Sequence, residues 1–385
     1  MAVATGVAVA SNYYAQPLLP AMGRALHLSP RTSGLVVTVA QVGYALGLAL
    51  LTPLGDVVER RRLVTVLCLG TAAALCWVGV SPAWWSLLPA ALAVGGLSVV
   101  VQVLVPFAAS LATDENRGRV VGTVMSGLLV GILLARTASG VLAGAGGWRT
   151  VYFVSAAAMV VLAGVLHRHL PTWRQRTGLG YARSVASVLT LLRQEPVLRL
   201  RSLYGMLSFG TFSVLWTAMA FLLADRYHYS TTVIGLFGLA GAAGALTASV
   251  AGRLSDRGWA RRTTVATGTL LVASWLALWV GSSSIGWFVV GVVVLDVGAQ
   301  GLHITNQGEI YRLRPEARSR LTAAYMVIYF AGGAAGSVLS ASLYQSLGWD
   351  GVCLAGGTFA TGTLVVSAVS RARRGAATAP AARRR

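Results

Sequence analysis

Runs of roughly 18 to 24 apolar residues recur along the whole 385-residue chain, each long enough to cross a ~30 Å hydrocarbon layer as a helix. Twelve such runs can be counted, centred near residues 12, 42, 72, 97, 132, 160, 212, 242, 272, 297, 332 and 361. At about 21 residues per crossing they use about 250 residues, leaving short connections and no room for a soluble domain. Charged residues make up only 11% of the chain, which has mean hydropathy +0.69. A water-exposed surface of this size carries far more charge than that. The reading is an all-α polytopic membrane protein with twelve transmembrane helices. The first run starts almost at Met1 with no basic lead-in and continues into Ser11-Asn12-Tyr13-Tyr14, so it reads as the first span.

The formal net charge is +20, and all 31 basic residues are arginine. Their placement decides what the charge means. Arginines cluster after the second, fourth, sixth, eighth and tenth runs and in the tail, 26 of them in all. The opposite connections hold four, Arg24, Arg31, Arg149 and Arg226, while Arg136 lies inside a run. This alternation is the positive-inside pattern and puts both termini in the cytoplasm, facing anionic lipid. A nucleic-acid surface would not alternate between connections, so nucleic acid is excluded as a partner. Trp84, Trp85, Trp148, Trp287 and Trp349 fall near the external ends and read as interfacial anchors. Cys68, Cys76 and Cys353 lack metal-ligand spacing and read as small buried apolar residues.

The longest and most charged connection, residues 168–202, divides the runs six and six. The expected organisation is a six-helix bundle over 1–167, a cytoplasmic middle loop over 168–202, a second bundle over 203–370 and a disordered basic tail over 371–385. The halves echo each other. "PLGDVVERRRL" follows the second run and "AGRLSDRGWARRT" the eighth, each setting an aspartate (Asp56, Asp256) ahead of arginines. Internal repeats of helix bundles are the architecture of many secondary carriers, with the substrate site near the midplane between the halves.

Gly252, Asp256, Arg257, Gly258, Arg261 and Arg262 follow the pattern G-x-x-x-D-R-x-G-R-R, with Gly258 one position early and the arginine pair one position late. With six plus six spans and a basic middle loop, the chain resembles the major facilitator superfamily along essentially its whole length. The first copy of the signature departs from the pattern, with Thr52, Val57 and Glu59 at signature positions. "GDVVERRRL", "NYYAQPLLP" and "RGRVVGTVMSGLLVGILLARTASG" are similar to a bacterial subgroup placed among twelve-span drug:proton antiporters. The resemblance implies a central cavity lined by the first, fourth, seventh and tenth spans. It also implies a cytoplasmic gate at Asp56, Arg60, Arg61, Gly252, Asp256, Arg257 and Arg261. Glu309, beside Arg312 and Arg314, reads as a second gate cluster. The subgroup's Gly-Pro pair in the fifth span is absent here, and Arg136 stands nearby.

Charge inside a span is the sharpest functional signal. "VVVLDVGAQGLHITNQ" places Asp296 near the middle of the tenth span, with Gln300, His303 and Gln307 within an arc of roughly 60°. A charge at the bilayer centre costs at least ~2.5 kcal/mol, so this stripe faces protein or a water-filled cavity. Arg136 lies ~24 Å from the cytoplasmic start of its span and Asp296 ~15 Å from the external start of its own, so their depths agree within a few Å. The expectation is that Arg136 with Asp296, or Asp296 with His303, couples transport to protons. Burial penalises a carboxylate and a nearby arginine favours it, so relative motion of the halves would load and release a proton. The competing reading is a static bridge that only fixes helix packing. Small residues Gly127, Gly131, Ala135 and Ser139, spaced by four, mark a face of close helix approach.

Asn12, Tyr13, Gln16, Gln41, Tyr44, Gln102, Trp216, Tyr325 and Tyr329 complete the expected cavity lining. Amides with aromatic walls suit an amphipathic organic compound. No phosphate-binding glycine loop, zinc spacing or Ser/His/Asp arrangement stands in the connections, which argues against ATP, cofactors and enzymatic chemistry. The leading expectation is a monomeric inner-membrane carrier exporting a small organic compound in exchange for protons. The alternatives are proton-coupled uptake and a non-transporting receptor or scaffold on the same fold. A fluorescent protein fused after Arg385 should fold and fluoresce, whereas an alkaline phosphatase there should stay inactive. The reverse result would invert the topology.

Overall fold

The computed structural model describes residues 1–113, 116–172, 181–241, 244, 247, 251, 253–254, 257–314 and 318–378. Among these, the side chains of residues 56, 117–118, 182–184, 188–189, 318–319 and 373–378 lie outside the description. The described regular structure is helical throughout. The helices before the middle connection are α1 (Ala2–Ala10), α2 (Ala15–Leu26), α3 (Pro30–Leu50), α4 (Arg60–Val80), α5 (Trp84–Leu97), α6 (Val100–Leu111), α7 (Arg117–Gly146) and α8 (Trp148–His169). A short helix α9 (Tyr181–Gln194) lies in that connection. After it come α10 (Pro196–Asp225), α11 (Thr231–Leu236), α12 (Ala260–Val280), α13 (Ile285–Tyr311) and α14 (Arg318–Thr378). Nine helices among the described residues are long and apolar enough to cross a membrane.

Each apolar run can be located in this set. The first is divided between α1 and α2, and the fourth between α5 and α6. The two breaks face each other: the hydroxyls of Ser11 and Ser98 share a hydrogen bond at 2.8 Å. Each hydroxyl also lies within hydrogen-bond reach of a carbonyl of its own helix, Ser11 of Ala8 and Ser98 of Val94, so with one proton apiece one serine donates to its carbonyl and the other to its partner's oxygen. A helix interrupted inside a membrane must re-satisfy its freed backbone groups within the protein, and paired serines do so. The eighth run begins as α11 and continues into a short 3₁₀ turn at Phe237–Gly241, with the rest only partly described.

The eleventh and twelfth runs form the two arms of α14, which turns back at Gly348 in the left-handed region (φ 63°). Gly210 of α10 lies against Gly336 of one arm and Phe359 of the other, so both arms pass the same level of α10. A second left-handed glycine, Gly147 (φ 82°), separates α7 from α8. A tryptophan follows each glycine, and here the expectation of interfacial anchors is corrected for two of the five. Trp148 and Trp349 are packed inside, at 5% and 6% exposure. The turn glycine folds the next residue back against the bundle, and the Trp349 indole donates to the Leu278 carbonyl at 2.9 Å. Trp84, Trp85 and Trp287 are exposed. Cys68 is buried, but Cys76 is exposed and Cys353 half-buried, so burial does not extend to all three thiols.

Close approach positions the helices that matter for the site. Gly127 and Gly131 of α7 meet the backbone of Ala2 and Gly6 of α1 so tightly that a Cβ at either would overlap it. The Thr5 hydroxyl donates to the Val124 carbonyl across the same contact at 3.0 Å. On the opposite flank α7 meets α11 at Gly140 and Gly235, and the Thr137 hydroxyl donates to the Gly235 carbonyl at 3.1 Å. Gly131→Val should therefore cost about 1–3 kcal/mol through overpacking and lower the thermal midpoint of the purified protein. Gly122→Ala, where nothing lies within 4 Å, should leave the midpoint unchanged or raise it. Equal behaviour of the two variants would refute this contact.

Candidate functional site

Arg136 projects from α7 into the seam between the helices before α9 and those after it, and is only 2% exposed. A guanidinium so placed needs acceptors. Its Nε donates to Gln16 Oε1 of α2 at 2.7 Å. Its Cζ lies 3.7 Å from the Trp216 ring centroid of α10, with the Tyr13 and Phe212 rings at 4.9 Å and 5.5 Å. Among the described residues its buried Nη2 has no hydrogen-bond partner. Cation–π attraction reaches about 2 kcal/mol when the pair is desolvated, and Trp offers the strongest face.

Asp296 is 3% exposed on α13, and its Oδ1 accepts from the Trp216 indole N–H at 3.3 Å. Among the described residues Arg136 makes no ion pair with Asp296, although the two charges act on each other. One indole stands between them, its negative face toward the arginine and its N–H edge toward the carboxylate. The direct contact is thus replaced by a three-part stack, Arg136–Trp216–Asp296, that crosses the seam at the arginine–indole step. His303 does not reach Asp296 through any hydrogen bond. Its Nδ1 and the Tyr325 hydroxyl are 3.0 Å apart, and its ring lies 4.7 Å from that of Tyr329.

The cavity candidates converge in part. Asn12, Tyr13, Gln16, Gln41 and Tyr44 line one small void together with Phe209 and Phe330, with room for about one water molecule. Gln41 Nε2 donates to Ser213 Oγ at 2.8 Å across the seam. Gln102 reaches the Tyr44 hydroxyl at 3.5 Å, at the edge of hydrogen bonding. Tyr44 packs on Phe330 with centroids 4.4 Å apart, and Tyr329 stacks on Phe209 at 4.1 Å. Gln300 is half-buried with its Cγ near Gly244, and Gln307 is half-buried further along α13. The wall from the first helices is amide-rich and the facing wall aromatic. Phe209, Phe212 and Phe330 were not among the sequence candidates. The first two stand with Trp216 on one face of α10, at i, i+3 and i+7, but in an apolar run that spacing does not separate a cavity wall from a lipid-facing stripe.

The gate candidates are only partly visible. The side chain of Asp56 and the residues Gly252 and Asp256 lie outside the described residues. Arg60 is buried, donating from Nε to the Gly55 carbonyl at 3.1 Å and from Nη1 to Ser110 at 3.2 Å. Arg61 meets Glu59 at 3.4 Å without hydrogen-bond alignment. Arg257 and Arg261 are exposed. Glu309 pairs with Arg312 as well as with a residue the sequence hid among loop arginines, Arg201 of α10, at 3.1 Å. Arg201 also donates to Thr264 at 3.0 Å and to the buried Asn306 at 3.4 Å. Arg314, expected near Glu309, pairs with Glu195 at 2.6 Å.

On the arginine-poor side the seam is closed. Thr38 and Ser337 share a hydrogen bond at 2.6 Å, the Arg31 amide donates to Gln345 at 3.2 Å, and Thr232 donates to the Gly140 carbonyl at 3.3 Å. On the arginine-rich side α9 reaches back to α3, where the Tyr181 hydroxyl donates to the Leu50 carbonyl at 2.9 Å.

Two sets of apolar helices meeting at a seam, with a polar stack and an amide–aromatic void buried at mid-depth, define an integral membrane carrier. The chain belongs to the major facilitator superfamily, whose model matches residues 1–310. It is 52% identical to the transporter YgaY of Escherichia coli (strain K12), over 95% of this chain and 93% of that one. A Streptomyces coelicolor transporter is 35% identical over 97% of this chain and 87% of its own. The same fold occurs in a bacterial homolog of the human lysosomal transporter Spinster, solved inward-facing and occupied (TM-score 0.75, 12% identity, 95% and 94% coverage). It also occurs in the nucleoside transporter NupG (TM-score 0.74, 11% identity, 96% and 99% coverage). The chain is therefore a transporter and not an enzyme.

Losing the acceptor to Arg136 Nε leaves a buried charged donor unsatisfied. Gln16→Leu should accordingly destabilise the purified protein by about 1.5–3 kcal/mol, and Gln16→Glu should restore most of it, both read by thermal unfolding. A neutral Gln16→Leu would show that the guanidinium is satisfied elsewhere.

Proposed function

We propose that this protein is a proton-coupled exporter of a small organic compound, working by alternating access in the inner membrane as a monomer with both termini cytoplasmic. The observation that carries the reading is the buried carboxylate of Asp296, which depends for its ionised form on a cation belonging to the other side of a closed seam. With the stack formed, Arg136 balances the ionised carboxylate through the indole. When the seam opens, Arg136 leaves with α7, and a carboxylate isolated in low dielectric is held as the neutral acid. Protonation and seam motion are then linked, so a proton gradient can drive the cycle.

The amide–aromatic void marks where the compound binds, since amides orient polar groups and stacked rings accept a flat apolar body. In this state the void is nearly collapsed, so the compound enters when the aromatic layer of Tyr44, Phe209, Tyr329 and Phe330 parts. The resemblance of "GDVVERRRL" and "NYYAQPLLP" to the antiporter subgroup favours export, the absent Gly-Pro pair of the fifth span weighs against it, and the arginine bias supports the orientation.

The test is transport in proteoliposomes under an imposed pH gradient, screened over a chemically diverse panel. Wild type should accumulate its compound against the gradient in vesicles whose cytoplasmic face is outward and whose lumen is acidic. Asp296→Asn should abolish that accumulation while preserving gradient-free exchange of the compound between the two sides. Proton-driven accumulation by Asp296→Asn would remove the coupling role. Accumulation only with the gradient reversed would turn export into uptake.

A further inference from the structure

At the arginine-rich ends of α10, α12 and α14 the structure holds a second cleft, of about 50 Å³, distinct from the seam. Its walls carry three guanidiniums, Arg201, Arg261 and Arg371, and three hydroxyls, Thr264, Ser367 and Ser370. Among the described residues no carboxylate lines it, although Glu309 bonds Arg201 at 3.1 Å. Arg261 and Arg371 are exposed at the mouth and Arg201 is buried at the base. The inner wall is closed by Tyr204, whose hydroxyl lies 3.4 Å from Ser370 Oγ, and by Arg201 donating to Thr264. α12, which starts at Ala260, contributes Arg261 from its first turn and Thr264 from the start of its second.

We infer that this cleft binds the phosphate of an anionic ligand, with a phospholipid headgroup as the source best matched to its position. The chemistry is that of an oxyanion site, with guanidiniums giving charge-assisted bonds, hydroxyls giving short neutral ones, and a helix start adding its positive end. The space holds about three or four waters, comparable to one phosphate group. Its depth favours a lipid, because all three helices reach this level at their arginine-rich ends, where basic pockets between helices meet headgroups. Arg261 and Arg371, exposed at the mouth, face the side from which a headgroup would approach. All three helices follow α9 in the chain, so the ligand would sit against one side of the seam and leave the coupling stack untouched.

The full-length protein in zwitterionic detergent is titrated with short-chain phosphatidylglycerol, phosphatidylcholine of equal chain length, or inorganic phosphate against chloride at matched ionic strength. The thermal midpoint is the readout. For wild type, phosphatidylglycerol should raise the midpoint and phosphatidylcholine should not. In Arg261→Gln/Arg371→Gln the apparent affinity should fall roughly tenfold or more. A shift with inorganic phosphate alone, lost in the same variant, keeps the oxyanion site and assigns it to a soluble phosphorylated ligand. Equal phosphatidylglycerol shifts in wild type and variant, or no shift with either anion, overturn the proposal. If the double variant cannot be purified, Ser367→Ala/Ser370→Ala gives the same comparison with the charges intact.

Discussion

The seam is organised around one indole. A guanidinium buried in a membrane bundle loses several kcal/mol of hydration, and so does a carboxylate. Trp216 compensates both at once by presenting its electron-rich face to Arg136 at 3.7 Å and its N–H edge to Asp296 at 3.3 Å. Each charge polarises the ring in the sense that favours the other. A direct salt bridge would be directional and would hold the two sides in one register. A cation on an aromatic face tolerates sliding across the ring, so the contact suits a boundary that has to move.

The cation reaches that ring because small residues let three helices run almost in contact. Gly127 and Gly131 bring α7 against α1, while Gly235 and Gly238 bring the eighth run against the backbone and Cβ of Arg136. Further along the same run, Gly241 and Gly244 approach Asp296 itself. Glycines at 235, 238, 241 and 244 therefore form a groove between α7 and α13, and a side chain at any of them would push one member of the stack away. Packing here serves position more than stability, because apolar burial drives no association between helices already in lipid.

The helical framework was legible because a bilayer leaves few options, and length with hydropathy marks out apolar helices that can cross it. The burial of Arg136 and Asp296 was legible by the same logic, since charge inside an apolar run is rare enough to count. Trp216 was named as cavity lining but not as the link between the charges, because an aromatic in an apolar run looks the same whether it lines a wall, faces lipid or carries an ion. The breaks at Ser11 and Ser98 were invisible for a related reason. A single serine is common in a span, and only its partner on another helix shows that it caps a break. Arg201 was lost among the loop arginines by three or four residues, the difference between the end of a connection and the first turns of a buried helix.

A second tie between the helices that carry the stack decides which parts move against each other. α10 and α13 run antiparallel, joined at mid-depth by Trp216–Asp296 and at the arginine-rich end by Arg201 with Asn306 and Glu309. Fifteen residues on one helix and thirteen on the other put these rungs about 20 Å apart. Two rungs at that separation resist both rotation and sliding, so Trp216 and Asp296 travel as one body. Arg136 has no such tie to them. Its side-chain hydrogen bond goes to Gln16, on its own side of the seam, and across the seam its guanidinium meets the faces of Trp216 and Phe212. The arginine–indole contact is the step of the stack that crosses the seam, and separation there would remove the counter-charge from Asp296 without disturbing the hydrogen bond that positions it. Under the proposed function, a carboxylate that kept its place while its neutralising partner came and went would meet the physical requirement for carrying a proton in step with the motion of a bundle.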